Sequence, residues 1–584
     1  MTPVTFDGCA GWLRIGSGPI GVVICAPFGR EGMLSYRGCK ILADDLHARN
    51  FSVLRFDYSG TGDSGGSEAD PDRLHAWESS LASAVAFLRR TTQIQDIILI
   101  GIRLGATLAL RAAAIDTSVI AVCCLSPVVS GRSYARELRL LANGWREANL
   151  LPAPKKDVAY LDVVGDRLDN ETLRALSAID LRTLAGSPPD VLLVADGHMP
   201  LIDDLTGRLQ ELGARVLRED FLDGTDFLQD PFSTTIPHHA FAIIADWCVR
   251  LLPQAVLPAT SRPVIPQPAS LLRLPEATEE GLHFGPGNGL YGVLCLPFEP
   301  QASTVPTVLM LNTGFGRRTG DGRVFVILAR RLAQSGIASL RLDVAGFGES
   351  DSRSEATADP YEPQITDDVV AAADALGSRG HDRLIVIGIC SGANAAFHAG
   401  LREPRVHGLI LTNLQKFIWQ RGSTFRIENK RQRRPALFYL RSITRRAAWL
   451  RLLRGDVAVG SIGAALMRRL AAGAYNSACL LIEDKTGLAT RAGQVRRWLT
   501  ELGGHGTRVD LLYSEADPGL SELALVVGKR SSSLERLAHV KVEVIPGADH
   551  ALLDHVSRER FIEHVCRIIH DSTSCVATGN SSNP

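Results

Sequence analysis

The chain carries the stretch Leu384-Ile385-Val386-Ile387-Gly388-Ile389-Cys390-Ser391-Gly392-Ala393 and, earlier, a second version of it, Ile97-Ile98-Leu99-Ile100-Gly101-Ile102-Arg103-Leu104-Gly105-Ala106. Each version is an apolar run typical of a buried strand, then Gly-x-X-x-Gly, then an Ala-rich stretch typical of a helix. Such a turn holds residue X at strained dihedral angles, and the glycines keep other side chains out of it. X is Cys390 in the later copy and Arg103 in the earlier one, so we expect nucleophilic chemistry only in the later copy.

Length and composition exclude several classes of protein. A chain of 584 residues is too long for one hydrophobic core, so at least two domains are expected. The 63 Lys and Arg residues balance the 63 Asp and Glu residues, which gives no overall signal for nucleic-acid binding. The eleven cysteines form no CxxC pair, the sequence opens without a secretion signal, and it has no apolar run long enough to span a bilayer. These features predict a cytoplasmic protein that could still dock on a membrane surface.

The two halves of the chain repeat each other beyond the Gly-x-X-x-Gly turn. Val23-Ile24-Cys25-Ala26-Pro27-Phe28-Gly29-Arg30 matches Met310-Leu311-Asn312-Thr313-Gly314-Phe315-Gly316-Arg317, and Leu54-Arg55-Phe56-Asp57-Tyr58-Ser59-Gly60-Thr61-Gly62-Asp63-Ser64 matches Leu340-Arg341-Leu342-Asp343-Val344-Ala345-Gly346-Phe347-Gly348-Glu349-Ser350. The second copy follows the first after 286 or 287 residues at each landmark. Three landmarks in one order and at one spacing indicate an internal duplication.

We predict an α/β protein of two tandem domains, each a mostly parallel sheet flanked by helices. The first domain spans residues 1–252 and the second spans residues 276–570. A proline-rich linker joins them over residues 253–275, where six prolines occur with little periodicity. The tail, residues 571–584, is rich in Ser, Thr, Asn and Gly, and we expect it to be disordered.

A nucleophilic Cys390 needs a base within hydrogen-bond reach and a group that orients the base. After this type of turn the order along the chain is nucleophile, acid, histidine. Asp517 follows a late predicted strand and is the expected acid, although Glu515 and Asp549 are close alternatives. His550 follows the last predicted strand and is the expected base. The alternative for Cys390 is a buried, inert thiol, against which the flanking glycines argue.

The negative charge that develops on a carbonyl oxygen under attack needs nearby N–H donors. The N–H of Ser391, next to the nucleophile, is one expected donor. The second is expected from the glycine-bearing loop after an early strand, with Gly314 and Phe315 as candidates. Asp343 recurs in both halves, including the half without a nucleophile, and is therefore interpreted as structural.

The region from about 413 to 479 is strongly basic and is predicted to form a helical cap over the second domain. It holds fourteen Lys and Arg residues, two acidic residues and interleaved aromatic residues. One interpretation is a solvated cap with an apolar underside. The other is a cap that contacts anionic lipid head groups or a phosphate-bearing substrate. Nucleic acid is not expected as a partner, because no recognition fold accompanies the charge.

Arg103 cannot act as a nucleophile, because its guanidinium stays protonated in proteins. One interpretation is a structural ion pair, with Asp196 as a candidate partner. The other is an anion-binding residue for a carboxylate or phosphate at the former catalytic position. Either way, the first domain is predicted to be non-catalytic.

These motifs resemble those of the two α/β-hydrolases associated with exosortase and exopolysaccharide gene systems, joined in one chain. Gly101-Ile102-Arg103-Leu104-Gly105-Ala106 is similar to the Arg-bearing turn of the second type. Gly388-Ile389-Cys390-Ser391-Gly392-Ala393, with Gly547-Ala548-Asp549-His550, is similar to the Cys-bearing first type, whose members usually carry Asp where this chain has Ser391. The resemblance covers most of both halves. More broadly, the chain resembles serine aminopeptidase-like α/β-hydrolases, a resemblance that implies the fold and leaves the substrate open.

The motifs together predict an acyl ester or thioester hydrolase, or an acyltransferase, that uses Cys390, His550 and Asp517. The substrate would be an acyl-bearing small molecule or a carrier-bound acyl group. No metal or organic cofactor is implied. The alternative is a non-catalytic binding or scaffold protein with two degenerate hydrolase domains.

Overall fold

The protein is described here from a computed structural model. The described residues are 1–149, 151, 158–197, 199–224, 226–228, 234–253, 270–300, 305–353, 359–419, 491–515, 517–527 and 537–579. They divide into two compact units. Unit 1 contains residues 1–144 and 154–281, and unit 2 contains residues 145–153 and 282–584. Most of the predicted linker and most of the predicted cap lie outside the described residues.

The first sheet has eight strands in the order β1-β2-β4-β3-β5-β6-β9-β10. The two strands at one edge are antiparallel, and every pairing from β4 onward is parallel. These strands, with the hairpin β7–β8, are β1 (Thr2–Phe6), β2 (Cys9–Arg14), β3 (Ile20–Cys25), β4 (Ser52–Phe56), β5 (Asp96–Ile102), β6 (Val119–Leu125), β7 (Tyr160–Val163), β8 (Asp166–Asp169), β9 (Asp190–Ala195) and β10 (Val216–Asp220). The helices along this half are α1 (Gly29–Ala48), α2 (Arg73–Thr92), α3 (Leu104–Ala113), α4 (Gly131–Ala148), α5 (Asn170–Ser177), α6 (Pro200–Glu211) and α7 (His238–Arg250).

The second sheet has nine strands in the order β11-β12-β13-β15-β14-β16-β17-β18-β19. Its pairings from β15 onward are all parallel. The strands are β11 (Leu271–Arg273), β12 (Ala277–Phe284), β13 (Leu290–Pro297), β14 (Thr307–Leu311), β15 (Ser339–Asp343), β16 (Leu384–Ile389), β17 (Val406–Thr412), β18 (Arg508–Ser514) and β19 (Val540–Ile545). The helices described along this half are α8 (Val324–Gln334), α9 (Ile365–Gly377), α10 (Ser391–Gly400), α11 (Arg491–Gly504), α12 (Gly519–Val527) and α13 (His555–Gly579).

The predicted fold class, two mostly parallel sheets flanked by helices, is confirmed. From β2 in the first sheet and β13 in the second, the strands follow one another in the same spatial order. The central strands β5 and β16 read as continuous apolar runs because helices cover both faces of each sheet, and β16 is buried along its whole length. The carboxyl ends of β16, β17, β18 and β19 meet at one edge of the second sheet, which is where parallel α/β proteins place their sites.

Residues 571–579 of the predicted disordered tail are helical, and residues 580–584 lie outside the described residues. Helix α13 continues to Gly579. No proline interrupts the sequence from the amphipathic part of this helix to Gly579, so the helix extends through Ser and Thr residues that alone favour it weakly. Within the part of the chain that the structure describes, no helix is both long and apolar enough to cross a bilayer.

Candidate active site

Cys390 occupies a strained turn between β16 and α10. Its dihedral angles are φ +56° and ψ −112°, a conformation that L-residues rarely adopt. The turn is tight enough to require the flanking glycines. A Cβ added at Gly388 would lie 2.1 Å from the carbonyl carbon of Gly392, and one added at Gly392 would lie 2.7 Å from the carbonyl oxygen of Asn312. Arg103 has almost the same geometry, φ +52° and ψ −118°, so the two turns are conformational copies.

The structure brings His550 and Asp517 to Cys390. Asp517, fully buried after β18, accepts a hydrogen bond from Nδ1 of His550, and the Cys390 sulfur is close enough to the same imidazole to raise its pKa. The other oxygen of Asp517 accepts the N–H of Gly519 at 2.7 Å, which fixes the carboxylate. Nδ1 therefore carries the proton shared with Asp517, and Nε2 is the ring nitrogen that can accept a further proton.

The two alternative acids have other partners. Glu515 accepts the backbone N–H of Gly547 at 2.9 Å. The carboxylate of Asp549 accepts the backbone N–H groups of Ala551, Leu553 and Asp554 at 3.1–3.2 Å and so shapes the loop that carries His550. The choice among three neighbouring carboxylates was open in the sequence, and the geometry favours Asp517.

The electrostatics of the site favour a charged imidazole. Burial opposes protonation of His550, but the carboxylate of Asp517 and the Cys390 sulfur outweigh that effect and raise the pKa of His550 well above its ordinary value. A base whose protonated form is stabilised in this way takes a proton readily from a thiol. The arrangement can therefore generate a thiolate next to an imidazolium.

Two amide side chains that sequence reasoning missed support the His550 loop. Asn413, fully buried at the end of β17 with φ +51°, donates to the carbonyl oxygen of His550 at 2.6 Å and to Oγ of Ser514 at 2.9 Å, and it accepts the N–H of Ser514 at 2.7 Å. Gln415 places its Nε2 3.2–3.3 Å from both ring nitrogens of His550. Asn413 lies 287 residues after Ser126, at the spacing of the repeat, so the duplication marked this position. Both residues have a positive φ in the structure.

The predicted oxyanion donors lie beside Cys390. Ser391 is the first residue of α10, and the N–H groups that open a helix have no acceptor within it. The N–H of Gly314 already donates to the hydroxyl of Ser391 at 2.9 Å, which ties the glycine-bearing loop to the turn. The ring of Phe315 packs against Phe347 with centroids 6.0 Å apart. A small pocket opens beside this loop, and its lining includes Leu311, Gly314, Val344, Ile365, Ser391 and Ala395.

Asp343 has the structural role expected of it. Its carboxylate forms a fully buried ion pair with Arg318 and accepts the N–H groups of Arg318 and Glu349 at 2.6 and 3.0 Å. A Cβ added at Gly348 would lie 2.1 Å from the same carboxylate, which explains the recurring glycine. These contacts hold the loop after β15 and leave the carboxylate without a part in the chemistry.

Around Arg103 the first copy has a different set of charges. Its guanidinium binds Glu31 at 2.7 Å and both oxygens of Glu137 at 2.7 and 2.8 Å, and it lies 5.7 Å from the ring centre of Tyr134. The suggested partner Asp196 was wrong, because the carboxylates that reach Arg103 come from α1 and α4. Burial raises the pKa of Glu31 despite the opposing effect of Arg103.

The repeat explains this difference between the two copies. Glu31 occupies the position that corresponds to Arg318, directly after the matched Arg30 and Arg317. The first copy therefore carries an acid, Glu31, where the second carries Arg318, and it carries Arg103 where the second carries Cys390. Two carboxylates already neutralise Arg103, which leaves little net positive charge for an exogenous anion.

The described residues contain no cluster of three or more His, Cys, Asp and Glu side chains arranged to hold a metal ion.

Comparison with known proteins supports the fold of both units. Residues 308–564 match the model of the alpha/beta hydrolase family, and residues 31–164 match that of the serine aminopeptidase family, S33. The first match lies within unit 2 and the second lies in unit 1 apart from residues 145–153, which shows two α/β-hydrolase folds in tandem. No curated protein sequence matches the chain significantly.

Three similar solved structures are matched over 43–44% of this chain. Est1E from Butyrivibrio proteoclasticus with bound ferulic acid is 18% identical, with 43% of this chain and 98% of that chain covered and a TM-score of 0.33. An esterase of Pyrococcus furiosus is 14% identical, with 43% and 89% covered and a TM-score of 0.31. An α/β serine hydrolase of Xanthomonas campestris is 15% identical, with 44% and 96% covered and a TM-score of 0.28.

Proposed function

We propose that unit 2 is an acyl ester or thioester hydrolase, or an acyltransferase, with Cys390 as its nucleophile. The observation that carries this proposal is the hydrogen-bonded pair His550–Asp517, which lies near Cys390 at the carboxyl ends of β16, β18 and β19. The two hydrolase families matched by the chain agree with it in reaction class. The nucleophile is cysteine where serine is usual in this turn.

In the proposed reaction, His550 takes the thiol proton on Nε2 and the sulfur of Cys390 attacks the acyl carbonyl carbon. The negative charge on the carbonyl oxygen is stabilised by the N–H groups of Ser391 and Phe315, and by the N–H of Gly314 once it exchanges the Ser391 hydroxyl for the oxyanion. As the tetrahedral intermediate collapses, His550 returns the proton to the departing alcohol or thiol and an acyl-thioester remains on Cys390. Water or a second alcohol, deprotonated by His550, then attacks the acyl carbon. The C–S bond breaks, and Cys390 leaves as a thiolate beside the protonated His550.

An ester or thioester suits this site better than an amide, because an alcohol or thiol leaves with less help from the acid. The proposed substrate is a small acyl-bearing molecule or a carrier-bound acyl group. We place the reaction in the cytoplasm, in the exosortase or exopolysaccharide setting that the resemblance implies. The basic cap, outside the described residues, is proposed to contact an anionic membrane surface.

For unit 1 we propose a non-catalytic role in binding or in stabilising the chain. The ion pairs of Arg103 with Glu31 and Glu137 support this role, because they fill the position of the nucleophile with a charge that cannot attack.

The test is hydrolysis of p-nitrophenyl acyl esters and acyl-thioesters by the wild type, Cys390→Ala and His550→Ala. Each variant should lose at least ~10³-fold in kcat/KM, the usual consequence of removing a member of a nucleophile–base pair. Cys566→Ala is the matched control, since Cys566 is a half-buried cysteine on α13 outside the site, and it should keep full activity. Activity that survives in Cys390→Ala would refute the proposed nucleophile.

A further inference from the structure

A tyrosine hydroxyl lies against the sulfur of Cys390. Tyr361, in the segment before α9, is 4% exposed, and its hydroxyl oxygen lies 3.7 Å from Sγ of Cys390, within hydrogen-bond range for sulfur. This residue belongs to none of the recurring motifs of the two halves, so the duplicated pattern gives no sign of it.

The position of this hydroxyl is fixed by its surroundings. The ring of Trp419 stacks on that of Tyr361 with centroids 3.9 Å apart and planes 5° from parallel. The backbone N–H of Tyr361 donates to Oδ1 of Asp359 at 2.9 Å. Because the ring is clamped on one face and the backbone is anchored, the hydroxyl is held at the sulfur without a further loss of side-chain freedom.

The protonation states decide the direction of the hydrogen bond. Burial and the neighbouring Cys390 raise the pKa of Tyr361 well above its ordinary value, so the phenol keeps its proton. The titratable groups that face the sulfur directly are Tyr361 and His550, with Asp517 behind His550 and Asp359 behind Tyr361. When His550 holds the thiol proton, the sulfur has no proton to give, and Tyr361 is the donor.

We propose that Tyr361 is a further catalytic residue, whose O–H donates to the sulfur of Cys390 and stabilises the thiolate–imidazolium pair of the resting site. This inference rests on the proposed function of unit 2. In forming the pair, a proton moves from Sγ of Cys390 to Nε2 of His550 and Tyr361 keeps its own. When the sulfur lone pair forms the bond to the acyl carbon, the sulfur becomes a poor acceptor and the hydroxyl is released.

Stabilising a thiolate has two opposing effects on its reactivity. It increases the fraction of thiolate at low pH, and it lowers the intrinsic nucleophilicity of each thiolate. Tyr361 should therefore accelerate attack by Cys390 below neutral pH and have little effect, or slow attack slightly, at high pH. A role limited to packing would change the rate equally at every pH.

The experiment measures alkylation of Cys390 by iodoacetamide between about pH 5 and 9, followed at the Cys390 peptide by mass spectrometry, in full-length wild type and Tyr361→Phe. The variant keeps the ring and its stacking on Trp419 and loses only the hydroxyl. The matched control is Tyr58→Phe, which removes the hydroxyl of a buried tyrosine in unit 1. Because hydrogen bonds to charged groups are strong, alkylation of Tyr361→Phe should be about tenfold slower near pH 6, with its acid limb moved to higher pH.

Each outcome is decisive for this inference. A shifted acid limb in Tyr361→Phe with a wild-type profile in Tyr58→Phe supports it. An unchanged profile, or a uniform loss of rate at all pH values, overturns it. Alkylation needs no acyl substrate, so a wild type that fails to hydrolyse esters and thioesters refutes the proposed function through a separate measurement.

Discussion

Replacing Asn413 separates two effects, the anchoring of the His550 loop and the strain of the backbone. The side chain of Asn413 makes three hydrogen bonds in a fully buried position, two of them to Ser514 and one to the carbonyl of His550. At about 1 kcal/mol for each bond, Asn413→Ala should lower the free energy of unfolding by about 3 kcal/mol. Alanine also has a Cβ, so this variant keeps the backbone strain at φ +51°.

Asn413→Gly removes the same three bonds and relieves the strain. Glycine adopts the left-handed region without the Cβ penalty of about 1 kcal/mol, so this variant should lose only about 2 kcal/mol. Both variants free the carbonyl of His550, and a misplaced imidazole should lower kcat/KM by about 10- to 100-fold. Activity should therefore fall alike in the two variants, whereas stability should differ between them.

The assay is urea unfolding followed by tryptophan fluorescence, together with ester hydrolysis. Ser126→Gly is the matched control, because Ser126 holds the corresponding position in unit 1 with φ +44°. It should leave hydrolysis unchanged. The reasoning is refuted if Asn413→Ala unfolds at the wild-type urea concentration, or if Asn413→Gly restores wild-type activity.

Two further predictions concern charge. Arg103→Met should destabilise unit 1 by about 3 kcal/mol at pH 8, because it leaves the carboxylate of Glu31 without its partner. Burial raises the pKa of Glu31 in the folded state, so the folded state binds this proton more tightly than the unfolded state. The loss of stability caused by Arg103→Met should therefore shrink as the pH falls through that raised pKa. Equal losses in the free energy of unfolding at pH 5 and pH 8, measured by urea unfolding, would contradict this. The basic segment of residues 413–479 should bind vesicles rich in phosphatidylglycerol at low salt and release them at high salt, and cosedimentation that is absent at low salt would exclude the membrane contact.

Local patterns were sufficient to predict the two turns and the sheets beneath them. The Gly-x-X-x-Gly pattern at Cys390 and Arg103 reflects contacts within a few residues, such as the carbonyl carbon of Gly392 under Gly388. Because these contacts involve only neighbouring residues, the sequence pattern is sufficient to predict them. His550 and Asp517 were predictable because both follow predicted strands. The carboxyl ends of parallel strands meet at one edge of the sheet, so residues that follow them lie close together.

Contacts between distant segments were not predictable in the same way. Which of three acids reaches His550 depends on the course of the loops after β18 and β19. Tyr361 reaches Cys390 from a segment 29 residues earlier, without any spacing that marks it. The partner of Arg103 was misjudged for the same reason, although the duplication contained a signal: Glu31 stands where the second copy has Arg318.

The exchange of charges at Arg103 and Glu31 has a consequence for how this chain can evolve. Arg103→Cys alone would place a thiol in the first turn and leave the partly buried Glu31 without its counter-charge. Glu31→Arg alone would place two guanidinium groups side by side. Either first step should destabilise the unit before the second can compensate, so single substitutions are a costly route from the charges of the first copy to those of the second.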